Sequence, residues 1–188
     1  TEERALASLS EAAPARYPRL SRLLHWLTVI LVLSTIPAGL IMVQEGLSRP
    51  LQNGLFLYHK NIGPVILILV ALRIVVRLLK PAPPLPASLS RPQVVAAEAV
   101  HGLLYLTLVV MAVSGIIRVQ AGGFPMEFWD PFIGGMVAKS EPVANTAKAV
   151  HYYARYVIIG LILAHVGAAA MHGLIKRDGV FSRMWPPV

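Results

Sequence analysis

Apolar residues run almost unbroken through four stretches of the chain, about residues 20–43, 53–79, 92–118 and 146–175. Each is long enough to cross a bilayer as a helix, since about 20 residues at about 1.5 Å of rise span the hydrocarbon. The sequence between them is polar or proline-rich. QEGLSRP reads as a turn, and the prolines of KPAPPLPASLSRP impose an extended, solvent-side connection. Residues 120–145 form the longest loop, whose Phe124, Phe128, Trp129 and Phe132 suit a cap lying at the membrane interface. Pro37 and Gly39 are expected to bend the far half of the first span. There is no strand alternation and no internal repeat. The pattern therefore predicts an all-α, integral membrane four-helix bundle over residues 18–188, preceded by an N-terminal tail over 1–17. The length of the first span, with no small-residue cleavage site, argues against a removable signal peptide.

Composition sharpens this picture. The 188 residues are 56% hydrophobic and 14% charged, with a mean hydropathy of +0.64, which is too apolar for an ordinary soluble domain. There are no cysteines, which removes disulfides, cysteine-bound iron–sulfur clusters, thiolate haem ligands and covalent c-type haem. The net charge of +8 does not call for nucleic acid, because basic side chains at the ends of apolar spans are the usual topology signal of a membrane protein. Four spans put both termini on one side. Eleven Lys and Arg fall on that side and six opposite, so the positive-inside rule predicts cytoplasmic termini. The predicted location is a membrane, crossed several times.

All six histidines, His25, His59, His101, His151, His165 and His172, lie in the spans. Ionisable groups in a bilayer are costly, so six of them require something that satisfies imidazole nitrogens. His151 and His165 are 14 residues apart, which returns to within about 40° of one helix face after about 21 Å. His172 follows seven residues later, drifting about 20° further. His59 and His151 share a depth near the outer surface. His25, His101, His165 and His172 lie toward the inner one. Two levels of histidine match two haems stacked across a bilayer, with the imidazoles on iron. Zinc is the weaker alternative, since it usually draws on cysteine or a carboxylate, and only Glu98 shares a helix segment with one of these histidines. Iron held by histidine on both faces has no open position for dioxygen, and its natural task is electron transfer.

Small residues fit a flat macrocycle: Gly63 follows His59 by four, Gly102 adjoins His101, and Gly160, Gly167 and Ala168–Ala170 surround His165. Arg73 lies 14 residues after His59 and is a candidate partner for an inner haem propionate. Arg155, four after His151, is the candidate for the outer one. Arg77 is read as snorkelling to the inner surface.

RLLHW in the first span, YHKNIG in the second, HGLLYL followed by SG in the third, and H-x13-H-x6-H with RDGVFSRMWP in the fourth resemble the bacterial cytochrome b561 family of four-helix di-haem cytochromes. The resemblance covers about Tyr17 to Pro186. It implies two b haems with bis-histidine ligation, electron exchange with quinone, and in one branch oxidation of superoxide with ubiquinone as acceptor. Carried over to these positions, it gives His59 and His151 to the outer haem and His25 and His165 to the inner one. Depth alone would set His101 opposite His165, so His101 stays an alternative ligand. His101 and His172 otherwise remain for a quinone carbonyl or a propionate. On the outer face Lys60, Arg118, Lys148 and Arg155 would attract the superoxide anion, an acidic redox partner or lipid phosphates. The expected function is thus a superoxide:quinone oxidoreductase. The competing expectation is a cytochrome b anchor subunit relaying electrons for a hydrogenase-like partner.

Overall fold

A computed structural model describes residues 16–86 and 89–187. Of the N-terminal tail, residues 1–15 lie outside the described residues. Four long helices make up the fold: α1 (Arg19–Ile41), α2 (Arg49–Leu79), α3 (Arg91–Ala121) and α4 (Glu141–Ala170). The last continues as a π-helical turn, Met171–Lys176, and a short helical turn, Asp130–Ile133, sits in the long loop. All four helices are long and apolar enough to cross a membrane. Their apolar side chains point outward as much as inward. Ile30, Leu78, Leu79 and Leu163 are exposed, an arrangement that only lipid tolerates in such number.

Helices α2 and α4 begin four to five residues earlier than hydrophobicity alone predicts. The reason is a repeated signal. Ser48-Arg49-Pro50, Ser90-Arg91-Pro92 and Ser140-Glu141-Pro142 each put serine at the N-cap and proline in the first turn. Proline is preorganised there, and the amide it lacks would have had no partner. A polar first turn reads as loop if only apolar residues are counted. Helix α1 runs unbroken through Pro37.

Close backbone packing follows chain order, α1 on α2, α2 on α3, and α3 on α4. A core of Val32, Ile66 and Val70, joined by Tyr105, Leu108, Val109 and Ile162, draws on all four helices. In each helix these residues fall between the two histidine levels, so the core separates two sites. The start of α1 meets residues 183–186 at one end of the bundle. The Tyr17 N–H donates to Arg183 O (3.1 Å), Trp26 Nε1 to Met184 O (2.9 Å) and the Arg22 guanidinium to Pro186 O (2.6 Å). Buried Arg183 also donates to Pro83 O, tying the tail to the α2–α3 linker. We call this the terminal end, and the opposite one the loop end.

At the loop end the 122–140 segment is fastened to α2. Buried Asn61 accepts from the Phe128 N–H and donates to Glu127 Oε2 (2.8 Å), while its carbonyl accepts from Trp129 Nε1 (2.8 Å). Phe124, Phe128 and Phe132 remain exposed on the rim, as an interfacial cap requires.

Candidate haem-binding sites

At the loop-end level the rings of His59 on α2 and His151 on α4 face each other with centroids 6.0 Å apart. His59 Nδ1 lies 3.0 Å from Thr35 O, and His151 Nδ1 lies 2.9 Å from Met111 O and 3.2 Å from Ser114 Oγ. A carbonyl only accepts, so each Nδ1 carries the proton and each Nε2 keeps a lone pair. That is the tautomer of a histidine that ligates metal through Nε2. Both rings are seated on glycines. A Cβ on Gly39 would meet His59 Cε1 at 2.6 Å, and one on Gly115 would meet His151 Cε1 at 3.3 Å.

At the terminal-end level His25 on α1 and His165 on α4 have centroids 6.2 Å apart, and His101 on α3 lies 5.2 Å from His165. Arg73 Nη2 is 3.1 Å from His25 Nδ1, and its guanidinium stacks over the Tyr105 ring at 5.1 Å.

Haem geometry can be tested on these pairs. An imidazole nitrogen sits about 2 Å from its metal and the ring centre about 1.1 Å further on, so two imidazoles across one iron have centroids about 6.2 Å apart. His59–His151 and His25–His165 meet that separation, and His101–His165 falls short by about 1 Å. Both matching pairs also join helices that do not pack closely on one another, α2 with α4 and α1 with α4. His101 and His165 instead sit on neighbouring helices, where a ring contact needs nothing between. Among the described residues no cluster of three His, Cys, Asp or Glu is arranged for a bare metal ion. The residues fit haem.

A Cβ added to Gly63, Gly102, Gly160 or Gly167 would meet nothing within 4 Å, and Gly102, Gly160 and Gly167 are exposed. The glycines that the histidines themselves press on are Gly39 and Gly115. Of these, Gly39 reads from sequence as a bend, and only the SG pair after HGLLYL signals Gly115.

His172, in the π-helical turn, is buried and bonded through Nδ1 to Asp178 Oδ2 at 2.5 Å. This corrects the expectation that only Glu98 could be a carboxylate near a histidine: the turn folds Asp178 back across six residues. Burial would raise the Asp178 carboxyl, but bonds from His172 and from the Val180 N–H outweigh it and hold the group below the usual carboxylate range. Arg155 lies against Tyr152 and Tyr156, 4.1 and 4.6 Å from their ring centres, and donates to Tyr156 Oη. Its buried Nε has no partner. Lys60 is not a free outer charge: it pairs with Glu127 at 2.5 Å and donates to Pro125 O. Arg118 and Lys148, at the same end, meet no carboxylate among the described residues.

The sequence model of the prokaryotic cytochrome b561 family matches residues 16–187. Cytochrome b561 homolog 2 of Escherichia coli K12 is 31% identical over 173 residues, covering 91% of this chain and 92% of that protein. The probable superoxide oxidase CybB of Yersinia pestis is 29% identical over 170 residues, 87% of this chain and 92% of that one. Cytochrome b561 homolog 1 of Escherichia coli K12 is 28% identical over 179 residues, 91% and 97% of the two chains. With nearly its whole length matched and its histidines paired at haem spacing, this multi-pass membrane protein belongs to the prokaryotic cytochrome b561 family, for which haem b is the implied cofactor.

Proposed function

We propose that the chain is a di-haem b cytochrome of the bacterial inner membrane, with cytoplasmic termini, that takes electrons from superoxide at the loop end and delivers them to ubiquinone at the terminal end. The observation that carries this reading is the pair of imidazole couples, 6.0 and 6.2 Å between centroids, each joining helices whose backbones do not pack closely. His59 and His151 hold the outer haem, His25 and His165 the inner one. A haem held by two imidazoles would supply a one-electron couple and offer dioxygen no binding position. The similarity to a probable superoxide oxidase supports the choice of donor.

The remaining residues fall into place around that task. Thr35 O and Met111 O fix the outer rings in the ligating tautomer. Arg118 and Lys148 give the loop end an attractive potential for a small anion. Arg73 pairs with an inner propionate, and Arg155, whose Nε lacks an acceptor, with an outer one. Two superoxide ions that each give up one electron leave as dioxygen, and a quinone that takes two electrons also takes two protons. Asp178 accepts from His172 Nδ1 and so fixes the ring with Nε2 as an acceptor, able to take a proton from water and relay it to a quinone oxygen. His101 remains available to the same carbonyl or to a propionate.

A reduced-minus-oxidised absorption spectrum with pyridine haemochrome quantitation tests the assignment. Two low-spin b haems per chain are expected. One haem would sink one of the pairs, and none would sink the reading. Ubiquinone reduction driven by enzymatically generated superoxide then tests the donor, and it should vanish in His59→Ala.

A further inference from the structure

The terminal end gathers more positive charge than the proposed haem contacts use. A cavity of about 30 Å³ is walled by Arg73, Arg77 and Lys80 from the end of α2, Tyr105 of α3, and Tyr17 and Ser21 at the start of α1. A larger cleft of about 380 Å³ shares Arg77 and Tyr105 and is otherwise apolar, lined by Ile74, Leu78, Pro81 and Ala82. Among the described residues the two carboxylate pairs are Lys60–Glu127 and His172–Asp178, so no carboxylate meets these three cations. Arg73 is already engaged with His25 and the Tyr105 ring. Arg77 and Lys80 are exposed, meet no acceptor among the described residues, and lie beside the hydroxyl-bearing Tyr17, Ser21 and Tyr105.

We propose that this cradle holds the phosphate of one anionic phospholipid, with its acyl chains in the apolar cleft along Ile74, Leu78 and Ala82. The polarity gradient selects this ligand. Cations and hydroxyls at one end, continuous with apolar walls at the other, complement a charged headgroup on a hydrocarbon chain, and basic pockets between transmembrane helices bind such headgroups. A quinone has the chain but no charge, and would leave Arg77 and Lys80 uncompensated. A haem propionate has the charge but no acyl chain, and would leave the cleft unfilled. The inference needs the helices to span a membrane; it does not need the histidine assignments.

The test compares the purified holoprotein with an Arg77→Gln/Lys80→Gln double variant, measuring co-purified phospholipids by mass spectrometry and haem by absorption. Wild type should retain about one phosphatidylglycerol or cardiolipin per chain through washes that strip phosphatidylethanolamine. The double variant should bind it about 30-fold more weakly, on the worth of two basic side chains at an anionic headgroup. Its haem content and spectrum should be unchanged. Equal retention in the two proteins overturns the proposal. So does an altered haem potential with unaltered lipid, which would make the cradle a propionate site. Should the double variant not fold, wild type in nanodiscs decides: a higher unfolding temperature in phosphatidylglycerol than in phosphatidylcholine supports the site, and equal temperatures overturn it.

Discussion

Gly39 of α1 and His59 of α2 touch so closely that a methyl group on Gly39 would lie 2.6 Å from His59 Cε1 and 2.9 Å from Nδ1. The ring therefore occupies the space a side chain would take, and its Nδ1 reaches the carbonyl of Thr35, one helical turn away. Gly39→Ala should push His59 out of register with His151 at an overpacking cost of about 1–3 kcal/mol. The expected result is loss of the outer haem alone, read as one haem per chain. Gly54→Ala, on α2 with open space around it, should keep both.

If His25 holds the inner haem through Nε2, as proposed, Arg73 and His25 could not keep their present hydrogen bond. A guanidinium only donates, so His25 Nδ1 accepts, whereas a neutral imidazole ligating through Nε2 carries its proton on Nδ1. Arg73 must then turn to another acceptor, and a propionate supplies one. Removing that charge favours the oxidised form. At about 10 Å and an effective dielectric of about 20 one charge is worth about 1.7 kcal/mol, or roughly 70 mV for a one-electron couple. Arg73→Gln should lower one of two midpoint potentials by that order in a redox titration and leave the other in place.

Much of the fold was legible because membrane spans are written in long apolar runs, and the six histidines stand out against them. The YHKN tetrapeptide shows how much more is packed in. Tyr58 Oη bonds Ser34 Oγ, His59 faces His151, Lys60 pairs with Glu127, and Asn61 holds the long loop. Those partners lie 24 to 92 residues away, across helices whose rotation no local pattern fixes. Depth counted in residues put His101 opposite His165, and it could not sense that α3 and α4 are neighbours while α1 and α4 stand apart. Asp178 escaped notice because an α-helix separates positions i and i+6 by more than a full turn. A π-turn ending in left-handed Arg177 brings them together.

Asp178 predicts an acid limit. Its carboxyl is held below the value it has in the unfolded chain, so its contribution to stability is complete above the unfolded pKa, about 4, and is lost as pH falls through the lowered folded value. Thermal unfolding of detergent-solubilised wild type should weaken below about pH 4, and Asp178→Asn should lose that part of the dependence while being weaker at pH 7. With a neutral amide in place of the carboxylate that holds His172, quinone reduction should slow about tenfold or more, at unchanged haem content and unchanged spectrum.

Asn61 predicts the fate of the loop cap. It is buried and bonds Leu57 O, Glu127 Oε2 and the Phe128 N–H at once. Asn61→Ala leaves the last two without their partner at a cost of about 1–3 kcal/mol. Residues 123–139 should then become sensitive to limited proteolysis, and Trp129 emission should shift to the red as its indole leaves the α2 carbonyl. Glu127→Gln, which keeps the hydrogen bond and removes the ion pair with Lys60, should change both far less.

The competition between His25 and His101 for the iron beside His165 comes down to geometry. Both rings are half-buried and both lie against His165, so chemistry does not separate them. The 6.2 Å spacing of His25 admits an iron between the rings, while the 5.2 Å spacing of His101 would place each nitrogen about half an ångström too close to it. His25→Ala should therefore give a protein with one haem and a single step in its redox titration. His101→Ala should keep two haems with bis-histidine low-spin signals in electron paramagnetic resonance. If His101→Ala loses a haem and His25→Ala does not, α3 rather than α1 supplies the inner ligand, and Arg73 beside His25 would have to be reassigned with it.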